Sequence, residues 1–245
     1  MKWTDYVGKV KSMYQSFLSE TIMSPYTSKH FSPADLDRIK QAVNDAERRT
    51  SGEIVPYVVD ESDRYYETAW QWGSLVGIML FSLFVIVREF TDIWLSLTFP
   101  EIAFTVVAGG IGSGLSIHFI PSLKRLFTPR DMIDRRVAQR ATEAFVAEEV
   151  FNTRERTGIL IFLSMLEHRV LVVGDSGINA KVKQSDWEEI AQQIVSGIRA
   201  GKPADALVEA IGMCGSLLER QGVKLRKDDR DELSDSLRMG PEGRP

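Results

Sequence analysis

A single cysteine, Cys214, occurs in the 245 residues, so no internal disulfide can form. That fits a reducing compartment, although a cysteine-poor secreted chain would look the same. Histidine is scarce too. His30, His118 and His168 lie before a helix, near the end of an apolar run and in a turn, with no supporting catalytic context around them. There is no excess of basic charge: 30 Lys and Arg stand against 34 Asp and Glu, a formal net charge of −4. This gives no electrostatic footprint for nucleic acid, so no nucleic-acid partner is expected. The first twenty residues lack a continuous apolar stretch, because Lys2, Asp5, Lys9, Lys11 and Glu20 interrupt it. A secretory signal is therefore not expected there. Internal repeats are absent as well.

What the chain does have is two long runs without charge. Residues 71–87 read QWGSLVGIMLFSLFVIV and residues 102–120 read IAFTVVAGGIGSGLSIHFI. Each is close to the length that crosses a bilayer core of about 30 Å at 1.5 Å per residue. One such run could be a buried core helix. Two in succession, with Tyr65, Tyr66, Trp70, Trp72 and Trp94 at their ends, point to a transmembrane hairpin over 68–120, since aromatics collect at membrane interfaces. Basic residues set the orientation. Between the runs Arg88 stands alone against Glu89, Asp92 and Glu101, whereas Lys124, Arg125, Arg130, Arg135 and Arg136 follow the second run and Arg48, Arg49 and Arg64 precede the first. The positive-inside rule then predicts an integral protein of the plasma (inner) membrane, with the soluble domain and both termini cytoplasmic.

The flanking segments alternate helix and strand signals. Ser32-Pro33-Ala34-Asp35 reads as a helix start, with a capping serine, proline at the first helical position and an early acid. Leu36, Ile39, Val43 and Ala46 form its apolar stripe, and Ser51-Gly52 ends it. Glu53–Val59 reads as a strand, and Pro56 within it predicts an edge or bulged strand. Asp131 opens another helix, with Ile133, Val137, Ala141, Ala144 and Phe145 as its apolar positions. Ile159–Ser164 and Arg169–Val173 read as strands joined by a tight turn, an antiparallel hairpin. Ser185 with Glu188 predicts a capping box for a helix burying Trp187, Ile190, Ala191, Ile194, Val195 and Ile198. A last helix buries Leu207, Ala210, Ile211, Cys214, Leu217 and Leu218, so Cys214 is a core residue. Residues 1–30 carry an aromatic and aliphatic helical stripe (Trp3, Tyr6, Val7, Val10, Met13, Tyr14, Phe17, Leu18) that could lie in the membrane interface or pack on protein. Residues 223–245 hold six basic and six acidic residues with little apolar content, which reads as a disordered polar tail. The split soluble domain is therefore 31–67 with 121–222.

Two glycine motifs invite chemical readings that do not hold. Gly174-Asp175-Ser176-Gly177 imitates the nucleophile segment of trypsin-like proteases, but neither the fold class nor the histidines support a triad. Gly109-Gly110-Ile111-Gly112-Ser113-Gly114 lies inside an apolar span and so is not a phosphate loop. The pairs Gly110/Gly114 and Ala108/Gly112 would instead let helices approach closely, against the first span or a second copy. Acids are the better candidates. Asp60, Glu61 and Asp63 follow the first strand, Asp175 follows the third, and Asp186, Glu188 and Glu189 open the next helix. Ligands often bind at strand ends in α/β sheets. Several of these carboxylates meeting there could hold a hard cation such as Ca²⁺ or Mg²⁺ through oxygen ligands. Capping and solvation are the plainer explanation of the same residues.

Taken together, the capped helix, Gly52-Glu53-Ile54-Val55, Thr157-Gly158-Ile159-Leu160-Ile161, Glu167-His168-Arg169-Val170, Gly174-Asp175-Ser176-Gly177-Ile178 and Gly201-Lys202-Pro203-Ala204-Asp205-Ala206-Leu207 resemble the TPM domain. The resemblance covers about residues 31–60 and 129–221. It implies a three-layer α/β/α sandwich around a small mixed sheet, here interrupted by the two-helix hairpin. It also implies activities that differ among members: photosystem II repair and acid phosphatase in plants, an accessory subunit of a receptor channel in a nematode, and calcium binding through acidic loops. Asp60, Asp175 and Asp186 are the best positional matches for such loops. The family often has an acid soon after the glycine pair, where this chain has Asn179.

The leading expectation is a membrane-anchored TPM-like domain that binds or helps assemble membrane proteins, with a divalent cation as an optional cofactor. Its partners would be the lipid bilayer and other membrane proteins or a second copy. The alternative is a metal-dependent phosphatase; a third option is a sensor whose loops a cation orders. Because the hairpin interrupts the domain after the first strand, the loop Asp60–Asp63 is expected near the membrane surface.

Overall fold

The computed structural model describes residues 30–90, 98–223, 225 and 233–240. Almost all of the expected N-terminal amphipathic helix, Trp94 and much of the polar tail lie outside the described residues. The chain divides into two compact units. One comprises the described residues up to Ser62 together with those from Val137 onward; the other is Asp63–Arg136.

In the first unit, helix α1 (Pro33–Glu47) starts where the sequence predicts. Ser32 Oγ accepts from the Asp35 N–H at 3.2 Å, and the Asp35 carboxylate accepts from the Ser32 N–H at 3.0 Å. These bonds satisfy end groups that have no helical partner. The Ser32 hydroxyl donates to Asp35 Oδ2 at 2.7 Å, and this bond, followed by the one from the Ser32 N–H, holds the Asp35 carboxyl below its ordinary range, with Arg38 adding a smaller pull. Ile39, Val43 and Ala46 are buried.

Strands β1 (Glu53–Val59), β2 (Gly158–Ser164), β3 (Arg169–Gly174) and β4 (Arg238–Met239) form one sheet in the order β3-β2-β1-β4. β1 and β2 are parallel from Glu53↔Gly158 to Val59↔Ser164. β2 and β3 form the expected antiparallel hairpin, from Ile159↔Gly174 to Ser164↔Arg169. Every residue of β1 and β2 is buried. Side chains alternate between faces. Ile54, Val58, Ile159, Ile161 and Leu163 join the core cluster with helices α7 (Gln184–Arg199) and α8 (Pro203–Arg220). On the other face Val55, Tyr57, Val59, Leu160 and Phe162 are equally buried, and Tyr57 stacks on Phe162 at 5.9 Å. A sheet buried on both faces is the mixed α/β sandwich that was expected.

Pro56 behaves differently from the expectation. β1 is not the edge strand, because β4 pairs with it at Tyr57 and Val58. The Val58 carbonyl accepts from the Gly240 N–H on that side at 2.9 Å. Backbone polar groups alternate between the two sides of a strand, so the N–H that Pro56 lacks would point the same way as those of Val58. At position 56 β4 has not yet begun, so no ladder bond is lost. β4 also departs from the reading of 223–245 as a polar tail. Within it, 233–240 docks on the sheet: Leu237 packs against the core, Asn44 Nδ2 donates to Asp235 Oδ2 at 3.1 Å, and Arg238 Nε pairs with Glu148 Oε2 at 3.1 Å.

The second unit holds α2 (Tyr66–Phe90), α3 (Phe99–Phe119), the short α4 (Pro121–Phe127) and the start of α5 (Arg130–Ala147). α2 and α3 have 25 and 21 residues and are long and apolar enough to cross a membrane. A core helix of a soluble domain would bury its apolar side chains, yet none of the most apolar window of α2 is buried. Trp70 is 75% exposed and Phe104 is 74% exposed.

The two helices pack on each other through glycine. A Cβ built on Gly73 would fall 2.7 Å from the Gly110 carbonyl oxygen, and one on Gly114 would fall 3.0 Å from that of Ala69. Such close backbone approach admits only very small residues. The Gly110/Gly114 face thus meets the first apolar helix, one of its two expected partners. The Ala108/Gly112 face does not: a Cβ on Gly112 would meet nothing within 4 Å.

Candidate functional site

The expected cation ligands do not meet. Asp60 follows Val59 at the end of β1 that lies beside Ser164, whereas Asp175 follows Gly174, which lies beside Ile159 at the other end of β2. At about 3.3 Å per residue the two acids are separated by roughly 20 Å along the sheet. Ligands of one Ca²⁺ each lie within about 2.6 Å of it, so this separation is far too large for a shared ion. Asp186 borders a polar cleft of about 450 Å³ on α7 and α8, together with Glu189, Glu209, Arg49 and Arg220. Among the described residues, no group of three or more His, Cys, Asp or Glu side chains is placed to hold a metal ion. The cation that the family resemblance implies therefore does not fit this donor set.

Two of the three acids have local structural work. Asp175 is 5% exposed and caps the short helix α6 (Ser176–Asn179), accepting from the Ser176 N–H at 2.6 Å. Its other oxygen, Oδ2, pairs with Arg156 Nε at 2.9 Å. Gly177 is confined by backbone: a Cβ there would collide with the carbonyl oxygens of Glu155 and Arg156. Asn179 closes the motif by donating to the Gly174 carbonyl at 2.6 Å and accepting from Trp187 Nε1 at 3.1 Å. The Gly174–Asn179 motif is a clasp joining β3, α6, α7 and the loop before β2. Asp186 takes back the Lys183 N–H at 3.1 Å as the N-terminal anchor of α7. That helix begins at Gln184, with Lys183 as its cap. The expected box of Ser185 and Glu188 is therefore shifted two residues: Asp186 reaches the free N–H first, so the chain turns helical sooner.

The loop after β1 holds a network that inspection of the sequence misses. Ser62, Ser164 and Glu167 are 4%, 1% and 3% exposed. Glu167 Oε1 accepts from the Ser62 N–H at 2.9 Å, the two serine hydroxyls lie 2.7 Å apart, and Ser164 Oγ donates to Glu167 Oε2. Buried polar groups need such mutual satisfaction. Nothing in the spacing of three residues from two distant segments signals it. In the second unit, Asp63 accepts from the Tyr65 N–H at 2.9 Å and pairs with Arg136 at 3.3 Å. Glu67 pairs with the same guanidinium at 2.8 Å. These acids hold the Arg136 pKa above its ordinary value, with Glu67 the larger influence.

A larger concavity lies elsewhere. A groove of about 810 Å³ runs along the α2–α3 pair. Its floor is Ala69, Gly73, Gly77, Gly110 and Gly114, where the backbones come together. Tyr66 and His118 stand at one end and stack on each other at 5.5 Å. The signal for it was present in the sequence: Gly73 and Gly77 repeat at the same interval as Gly110 and Gly114.

Residues 112–217 match the TPM domain. The match begins within α3, takes in β2, β3, α6 and α7, and ends in α8; it stops short of α1 and β1, which the sequence resemblance includes. The clasp at Gly174–Asn179 lies inside the matched segment. No curated protein matches the chain. Among solved structures, the BA42 protein of the psychrophilic bacterium Bizionia argentinensis, determined by NMR, is similar with a TM-score of 0.52 and 19% identity. The alignment covers 86% of this chain and 95% of that one. At that identity the likeness shows the fold alone.

Proposed function

We propose that the chain is a membrane-anchored TPM-like domain that binds or helps assemble other membrane proteins, with the soluble domain and both termini on the cytoplasmic face of the plasma (inner) membrane. One observation carries this reading. Two helices of spanning length are locked together by glycine contacts while their large apolar side chains face outward. Water does not tolerate that much contiguous apolar surface on a monomer, and a bilayer does. The excess of basic residues flanking the pair over those between the helices supports the orientation. Asp175 and Asp186 serve as clasp and cap and Asp60 lies at the other end of the sheet from Asp175, so the reading does not depend on a cation.

The test is to solubilise the full chain from its native membranes and combine light scattering with cross-linking mass spectrometry. A defined complex with a reproducible membrane-protein partner is expected. A lone monomer without reproducible cross-links sinks the proposal. Hydrolysis of a generic phosphomonoester that requires added Mg²⁺ or Ca²⁺ and disappears in Asp60→Asn would favour an enzyme instead.

A further inference from the structure

We infer that the groove on the α2–α3 pair is a binding slot for one acyl chain of an anionic phospholipid, whose headgroup is received at the Arg64–Tyr66–His118 end. This rests on the membrane reading above. The groove is apolar along its length apart from Ser74, and its other polar side chains, Tyr66 and His118, stand at one end. From Tyr66 to Phe81 the lining spans fifteen residues of α2, about 22 Å at 1.5 Å per residue. One leaflet of a 30 Å hydrocarbon core is about 15 Å deep, so a chain entering at one end has room to lie lengthwise. The walls are bulky: Trp70 and Ile78 rise from α2, and Ile111 and Leu115 from α3.

The floor decides between a lipid and a protein occupant. Its glycines are already in contact across the pair, Gly73 with Gly110 and Gly114 with the Ala69 backbone. A third helix needs small residues free for backbone approach, and inside this slot they are taken. A flexible acyl chain needs only width and apolar walls. The polar end supplies the charge complement. Arg64 Nη1 donates to the Tyr66 hydroxyl at 3.1 Å, which places a guanidinium at the mouth of the groove beside the Tyr66–His118 stack. Arginine suits phosphate, and basic pockets at helix ends select anionic headgroups.

The experiment uses the full chain in nanodiscs of zwitterionic phosphatidylcholine containing a tenth of brominated lipid, with quenching of tryptophan fluorescence as the readout. Trp70 on the groove wall is the reporter, identified by its loss in Trp70→Phe. Brominated phosphatidylglycerol should quench Trp70 as though enriched about fivefold over brominated phosphatidylcholine, the size expected for one basic side chain beside an anionic headgroup. Arg64→Gln should abolish the preference. Ser74→Phe, which adds a ring at a position lining the slot, should abolish the enrichment. Equal quenching by the two lipids, unchanged by either substitution, overturns the inference and leaves the membrane reading intact. Ready disulfide dimerisation of Ser74→Cys would put a second copy in the groove and also overturn it. If alkaline carbonate extracts the protein from its membranes, the membrane reading itself fails.

Discussion

Asn179 shows how a residue can look like a lost ligand and be a gained fastener. Its amide donates to the Gly174 carbonyl and its oxygen accepts from Trp187. An aspartate could do the second and not the first, and would set a carboxylate against a carbonyl oxygen. Asn179→Asp should therefore cost about 1–3 kcal/mol, read as a lower urea midpoint followed by the fluorescence of buried Trp187. Glu148 offers a pH-dependent test. Burial raises its carboxyl above the ordinary value, and Arg238 pulls it back. An acid raised on folding favours the native state when protonated, so its support is complete below the unfolded value and is lost as pH climbs through the raised one. Arg238→Met removes the restraint. Its stability deficit should be small near pH 4 and grow to about 1–3 kcal/mol at neutral pH, with Glu148→Gln in the same chain flattening the profile. A deficit independent of pH would mean that Arg238 acts through packing alone.

At the scale of elements, local rules read the sequence well and long-range ones less so. The caps of α1, the β2–β3 hairpin and the two apolar helices follow from spacing and turn residues. β4 could not be read in the same way, because two residues in a polar segment carry no periodicity and their place is decided by pairing with β1. The misplaced metal site has an instructive cause. The antiparallel hairpin is legible, but only together with the parallel pairing of β1 and β2 does it place a residue after β3 at the opposite end of the sheet from one after β1. Acid positions read strand by strand look clustered; read through the topology they are apart. The glycines of α2 and α3 allow a sharp comparison. Gly73→Leu drives a side chain into the Gly110 backbone, whereas Gly112→Leu enters open space. The first should lower the melting temperature in detergent micelles by the equivalent of about 1–3 kcal/mol, the overpacking cost. The second should leave it unchanged. Equal effects would mean that α2 and α3 do not pack as described.

At the scale of the whole molecule, the question is on which side of a bilayer each part of the chain lies. The lone cysteine makes this measurable. Cys214 is fully buried and its thiol is pushed up to about 12 by that burial, so at neutral pH it is neither accessible nor appreciably ionised. The native chain is therefore silent to maleimides, and any label reports an introduced cysteine. Glu89→Cys places one on an exposed position near the end of α2, between the two apolar helices, and Lys202→Cys places one at an exposed position between α7 and α8 in the first unit. Basic residues flank the helix pair and are nearly missing between its helices, which predicts that Glu89→Cys reacts with a membrane-impermeant maleimide in intact cells. Lys202→Cys should react only after permeabilisation. The reverse pattern would mean that the charge bias does not set the orientation of this pair. Reaction at both positions only after permeabilisation would mean that the helices do not span the cell membrane, and their exposed apolar surface would then need a protein to cover it.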